Sequence, residues 1–401
     1  MRGSDPPAIR DSFPASVERS RVPIMKPVTL AEIAAALNAQ LEGDGSIVIA
    51  RAVHPSEAEG PDDLALAMEK GLGEVLAASK ARAAVLAEGA EVPANIAGWI
   101  VVKRPRYAMA GLLDIFEKPV HAEPGVHPQA FVAPDAVLGQ GVSVGPFAYV
   151  GPKAVLGDGV IVMPQATVGA EAVIGKDSLI HPGSRIGERV VMGERCIIHP
   201  NAAVGNDGFS FVTPEPGSVE SAKTTGRVVG TNVLIRRVNS IGTVVLGDDV
   251  EVGANATIDR GTVTATRIGS GTKIDNLVQI GHNVQVGTNC MLCGHVGIAG
   301  STIIGDRVVL AGKVGVADHV KIGNDAVVAA NSGVGTDIPA KAVYMGYPAV
   351  PRDRAFDQYK GLARLKRLFA DVADLKNRVK ALDGRANVSG GAPPESTDDR
   401  S

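Results

Sequence analysis

An aliphatic residue recurs at every sixth position through most of this 401-residue chain, usually followed by glycine or another small residue. From Leu138 the frame runs through Val144, Val150, Leu156, Val162, Val168, Ile174, Ile180, Ile186, Met192 and Ile198 to Val204. It resumes at Leu246, Val252 and Ile258, shifts by four residues, and continues from Ile268 to Val334. A fixed period of this length marks a parallel β-helix of hexapeptide units. Three hexads close one coil, so residues eighteen apart should stack one above another. The aliphatic leader points inward. The position two before it, often small (Ala136, Ala154, Cys196, Ala256, Cys290, Ala326), should point inward too, because side chains alternate along a strand. The glycine after the leader is expected where a tight corner needs it.

Hydrophobic residues make up 45% of the chain but aromatics only 3%, as expected of a narrow prism filled by Val, Ile, Leu and Ala. A net charge of −3 gives no general electrostatic case for a nucleic-acid partner. The three cysteines are an odd count and point to a reducing compartment. Cys290 and Cys293 form a C-x-x-C, but in β-helix frame, so Cys290, like Cys196, reads as core rather than as a redox or zinc site. No apolar run approaches the roughly twenty residues that span a bilayer. The residues from Met1 to about Pro23 carry no signal-peptide core, and Met25 is a second candidate start. These features together point to a cytoplasmic protein.

The hexad rule fails at both ends and once in the middle. Residues 1–26 read as a disordered extension and 27–118 as a small α/β domain. Within it, Thr29 through Leu41 predicts a helix capped by Thr29, Ser46–Val53 a strand, Gly71–Ser79 a helix, Ala83–Leu86 and Trp99–Val102 strands, and Tyr107–Phe116 a last helix. Residues 119–350 form the solenoid, roughly ten coils. A long excursion, 206–241, leaves the frame, and a loop of that length is usually functional or mobile. Residues 351–385 predict a helix, with Leu365, Val372 and Val379 alternating with Leu368, Leu375 and Leu382 as a heptad stripe. The Gly/Pro/Ser/Asp-rich tail 386–401 reads as disordered.

His181 and His199 lie eighteen apart and should stack; with no third ligand in register they read as structural corners rather than a metal pair. His282 differs. It falls two residues after the leader Ile280, in an outward-facing corner slot, with Gly300 directly above it in the next coil. A solvent-facing imidazole can act as a general base near neutral pH. A glycine leaves its backbone N–H free to face a carbonyl oxygen, so the pair has the minimum equipment for acyl transfer. A lone corner histidine is also an ordinary surface residue, and on spacing alone a non-catalytic β-helix scaffold remains open.

Four segments carry a family resemblance: Gly247–Asn255 (GDDVEVGAN), Thr257–Gly261 (TIDRG), Ile274–Asn276 (IDN) and Gln279–Asn283 (QIGHN). With the Gly-x-Asp-Gly-Phe loop at Gly205–Phe209, they resemble the UDP-3-O-(3-hydroxyacyl)glucosamine N-acyltransferases of lipid A biosynthesis. The order of parts matches over about residues 27–385. The resemblance implies a mainly β fold, a left-handed parallel β-helix with an N-terminal α/β nucleotide-binding domain and a C-terminal helix. It implies a homotrimer with sites in the clefts between prisms. It also implies transfer of a 3-hydroxyacyl chain from acyl carrier protein to the 2-amine of a UDP-sugar, without metal or other cofactor. By it His282 corresponds to the catalytic base, Gly300 to the oxyanion donor, and Asp275, Asn276, Gln279 and His319 to substrate-binding residues. Asp63–Leu72, in the stretch corresponding to the family's uridine-stacking region, holds no aromatic residue, and the loop after Phe209 is longer than usual. The family's implied donor is acidic, and Arg352, Arg354, Lys360, Arg364 and Arg367 on or beside the C-terminal helix form an expected docking surface. A coenzyme A-dependent nucleotide-sugar acetyltransferase is the enzyme alternative.

Overall fold

The computed structural model describes residues 28–117, 120–346 and 352–388. The chain divides into two compact units, parting between His121 and Ala122.

In the N-terminal unit the helix α1 (Leu30–Ala36) begins at a capping box. Thr29 Oγ1 accepts from the Glu32 N–H, and the Glu32 carboxylate accepts from the Thr29 N–H. The helix is shorter than its apolar pattern suggests. Asn38 turns left-handed at φ 48°, and Gln40–Gly43 is instead an edge strand, antiparallel to Gly98–Val102. Edge pairing outweighs the helical propensity of those few residues. From that edge the sheet continues through Ala83–Ala87 and Asp63–Ala67 to Arg51–Val53, all parallel. The expected strand Ser46–Val53 is broken: Val48–Ile49 pairs with Val28–Thr29, and only Arg51–Val53 joins the main sheet. Asp63–Ala67 was not legible as a strand because its buried run is short and Ala-rich. Two further helices follow, α2 (Gly73–Ala77) and α3 (Pro105–Phe116). Asp63 is almost fully buried and is held by a two-pronged contact from Arg51 (2.5 and 3.0 Å) and by the Glu59 and Gly60 N–H groups. Burial pushes its carboxyl up, but Arg51 and those two N–H groups outweigh it and leave the group below the usual range.

The second unit is a parallel β-helix. Among the described residues its faces carry nine, eleven and ten strands. Val137 pairs with Val155 and Val155 with Val173, so the eighteen-residue register holds as the sequence predicts. Ile197 pairs with Glu251 across the long excursion, and Glu251 with Lys273 across the four-residue shift. The leaders and the small residues two before them form one continuous core, in which Cys196 and Cys290 are fully buried. One expectation needs correcting. The residue that turns left-handed at the corners stands three after the leader, not one. Lys153, Gln165, Asn283, Ser301 and His319 all have φ between 56° and 63°. The glycine after the leader is needed for space instead. A Cβ on Gly157 would lie 2.7 Å from the Lys176 backbone nitrogen, and one on Gly281 would lie 2.9 Å from that of Gly300. Successive coils lie too close for a side chain there.

The excursion has structure of its own. Phe211–Val212 and Arg236–Arg237 form a short antiparallel pair, and between them lies helix α4 (Ser218–Thr225), closed by Gly226 at φ 70°. The C-terminal helix α5 (Arg352–Val388) opens at Arg352. Arg354, Lys360, Arg364 and Arg367 are exposed on it, as is the heptad stripe from Leu365 to Leu382. The expected N-terminal extension and the end of the C-terminal tail lie outside the described residues. No described helix is long and apolar enough to cross a membrane.

Candidate active site

The corner after Ile280 opens into a cleft of about 460 Å³. Three successive coils and the excursion line it: Asp259 from the first, Gln279, Gly281 and His282 from the second, Ile298 to Gly300 from the third. Asp207 to Phe209, Phe211 and Arg237 close the remaining side.

His282 is half-buried rather than a free corner side chain. The imidazole is held between two glycines. A Cβ added to Gly300 would lie 2.7 Å from the ring Cε1 and 2.8 Å from Nε2, and one added to Gly208 would lie 2.8 Å from the His282 Cβ. Any side chain at either position would displace the ring. Gly208 is buried and fixed by its N–H donating to Ser240 Oγ at 3.2 Å. Asp207 beside it pairs with Arg237 at 3.1 Å, and the Arg237 guanidinium lies over the Phe211 ring.

Hydrogen bonding at Nδ1 orients the imidazole. His282 Nδ1 lies 3.2 Å from Asn283 Oδ1. The Asn283 amide is oriented by two bonds: its Oδ1 accepts from the Thr262 N–H at 3.0 Å, and its Nδ2 donates to Thr264 Oγ1 at 3.0 Å. An amide oxygen can only accept, so an imidazole bonded to it donates from Nδ1 and, when neutral, offers its lone pair at Nε2. Nε2 is also the ring nitrogen nearer the place a Cβ on Gly300 would take, at 2.8 Å against 3.2 Å for Nδ1. Thr262 and Thr264 fall in the four-residue shift of the hexad frame, so that irregularity supplies the groups that orient the base. Thr262 and Thr264 were not singled out from the sequence, where the shift itself was their signal; Gly208 was legible only as part of the Gly205–Phe209 loop.

Gly300 donates its N–H to no group among the described residues, although its carbonyl accepts from the His319 N–H at 3.2 Å. His319 itself is exposed, one coil above Ser301. Gln279 shares the cleft and donates from Nε2 to Asp259 Oδ2 at 3.1 Å, while its Oε1 accepts from Thr257 Oγ1. Burial pushes the Asp259 carboxyl above its usual range, a shift that the Gln279 bond and His282 partly offset.

Asp275 and Asn276 stand elsewhere within one chain. They follow Ile274, on the neighbouring corner, and line a separate cleft of about 570 Å³ with His199, Glu251 and Lys273. There Asp275 accepts from the Gly294 N–H at 2.8 Å and Asn276 Oδ1 from the Ala254 N–H at 2.6 Å. His181 and His199 do stack, at 5.1 Å, and His199 Nε2 meets Glu251 Oε1 at 2.8 Å. Burial lowers the basicity of His181, and its histidine neighbour adds to the effect. So one chain brings together His282, Gly300 and Gln279 but not Asp275 or Asn276.

The family model "Bacterial transferase hexapeptide (six repeats)" matches residues 135–170, 171–206 and 265–300. A UDP-3-O-acylglucosamine N-acyltransferase of Ruegeria pomeroyi is 51% identical over 88% of this chain and 97% of its own length. This chain belongs to the UDP-3-O-acylglucosamine N-acyltransferase family. The enzyme of that name from Paracoccus denitrificans is 52% identical over 90% of this chain and 99% of its own length. Among solved structures, an Arabidopsis UDP-N-acetylglucosamine acyltransferase is 24% identical, covering 55% of this chain and 71% of its own with a TM-score of 0.47. Both bacterial relatives are matched over nearly their whole lengths.

Proposed function

We propose that the chain is the N-acyltransferase of lipid A biosynthesis that moves a 3-hydroxyacyl group from acyl carrier protein to the 2-amine of UDP-3-O-(3-hydroxyacyl)glucosamine. The carrying observation is the imidazole of His282 lying with Nε2 against Gly300, whose N–H has no partner among the described residues. The neutral amine attacks the thioester carbonyl, and Nε2 removes its proton as the C–N bond forms. The Gly300 N–H receives the developing oxyanion. Collapse of the tetrahedral adduct expels the carrier thiolate, which takes up the proton from His282. An amine is already a competent nucleophile, so no acyl-enzyme is required.

The face that leads away from the cleft supports a long acyl chain. Its outward positions above Gln279 are Gly297, Gly315 and Gly333, and an added Cβ at each meets open space. A smooth trough results where side chains would otherwise stand. The nucleotide fits the N-terminal unit. A cleft of about 390 Å³ lies at the carboxyl ends of Asp63–Ala67 and Ala83–Ala87, where parallel sheets generally bind ligands. Met68, Leu76 and Leu86 line it, so aliphatic packing replaces an aromatic stack on the base. A homotrimer explains the separation of Asp275 and Asn276 from His282, since a neighbouring prism can bring its Asp275 corner to the His282 corner.

Donor choice tests the reading. The purified enzyme is given the amine substrate with 3-hydroxyacyl chains on carrier protein or on coenzyme A, from short to long. Turnover should rise steeply with length, as each buried methylene gives about 0.8 kcal/mol, and should need the carrier protein. Preference for acetyl-coenzyme A would establish the nucleotide-sugar acetyltransferase alternative instead.

A further inference from the structure

The backbone N–H two residues after a leader is capped at many corners of this prism by the side chain stacked one coil above. Gln140 donates to Asp158, Glu194 to Asp248, Asp248 to Ser270, Ala254 to Asn276, Thr288 to Asp306 and Asp306 to Asn324, all within 3.1 Å. Five of these six caps are Asp or Asn. Gly300 occupies the same place after Ile298, and the residue stacked above it, after Val316, is Asp318. All six lie on the other two edges of the prism, and on the edge of Gly300 Asp318 is the carboxylate placed to make such a cap. It does not make it. The Asp318 carboxylate is turned to Lys223 of α4, whose Nζ lies 3.1 and 3.4 Å from its two oxygens. That bond holds the Asp318 carboxyl below its usual range.

We propose that Lys223 is a positioning residue for acyl transfer: by holding Asp318 aside, it keeps the Gly300 N–H uncapped for the oxyanion. The inference rests on the role given above to Gly300. Without Lys223, the Asp318 carboxylate is free to take the capping geometry seen at the other corners. It would then occupy the donor and place a negative charge where another must develop. The excursion thus acts on the site at two points. Gly208 sets the ring of His282, and Lys223 governs the Gly300 N–H one coil further on.

A mutant cycle tests this with steady-state kinetics on the intact enzyme. Removing an oxyanion donor typically costs about 10²–10³ in turnover, so Lys223→Ala, which exposes the donor to competition, should lower kcat about tenfold or more. KM for both substrates should stay within about twofold, and Lys223→Arg should retain wild-type turnover. Asp318→Ala should stay close to wild type, and the double variant Lys223→Ala/Asp318→Ala should recover that level, because nothing remains to cap Gly300. Full activity in Lys223→Ala overturns the proposal. So does a double variant as slow as Lys223→Ala, which would make Lys223 an anchor for the excursion and nothing more. His282→Ala measured alongside separates the two layers. Its wild-type turnover would remove the reading of the whole site, whereas its inactivity beside a fully active Lys223→Ala removes only the role of Lys223.

Discussion

Replacing Gly300 by alanine is the smallest change that separates the catalytic geometry from the fold. The new Cβ would lie 2.7 Å from His282 Cε1 and 2.8 Å from Nε2, while ordinary contact begins near 3.4 Å. The imidazole must therefore retreat by about 0.7 Å, the difference between 3.4 and 2.7. It can do so by rotating its side chain, and Gly300 is not among the residues with left-handed backbone, so the coil itself need not move. A displacement near 1 Å of a reacting group can cost about 10²-fold in rate, equivalent to about 2.7 kcal/mol of transition-state stabilisation. Folding stability should change by no more than about 0.5 kcal/mol, as for other surface substitutions. The assay pairs kcat/KM for amide formation with thermal melting of the same preparation. Combining Gly300→Ala with His282→Ala should cost little beyond His282→Ala alone, because both act on one group. A Gly300→Ala enzyme within about threefold of wild type would refute the claim that the ring must sit against this glycine.

Two further outcomes follow from other parts of the molecule. Asp63→Asn should destabilise the N-terminal unit by about 2 kcal/mol at neutral pH, less than the ~3–5 of a fully buried pair because Arg51 remains 38% exposed. Because the folded carboxyl sits below the ordinary aspartate value of 3.8, its stabilisation is present above that pH and is lost as pH falls through the lower folded value. The stability gap between wild type and variant, read by denaturant melts, should narrow only in that acid range; a gap that narrows near pH 7 would contradict the Arg51–Asp63 account. Reversing charge at Arg364 and Arg367, both exposed on α5, should raise KM for the carrier-bound donor at low salt and leave the sugar nucleotide's KM nearly unchanged. An unaltered donor KM would make α5 an assembly element.

The sequence made the solenoid legible because stacking repeats one environment every six residues, and a repeated environment selects the same residue type each time. Leader positions such as Ile280 and Ile298, and their pairing across coils, could be read by counting. What counting missed obeys no period. The helix that stops at Asn38, the strand Asp63–Ala67 and the excursion depend on partners distant in the chain. His282 and Gly300 could be placed one above the other from spacing, yet Gly208, which seats the ring from the opposite side, comes from outside the hexad frame. The left-handed corner was misassigned by two positions, since glycine marks both conformational freedom and lack of space. At Gly281 it is lack of space. Asp275 and Asn276 are motif neighbours of His282 in sequence, but one hexad rotates them to another corner of the prism.

The central claim is that His282 Nε2 removes the amine proton beside the Gly300 N–H, and a single-turnover measurement tests it most directly. Enzyme in excess is mixed with UDP-3-O-(3-hydroxyacyl)glucosamine and 3-hydroxyacyl carrier protein, and the N-acylated product is followed by mass spectrometry for wild type and His282→Ala. Loss of a positioned general base should slow amide formation by about 10²–10⁴-fold, with melting temperature and sugar-nucleotide affinity unchanged. Amide formation by His282→Ala at close to the wild-type rate would contradict the account.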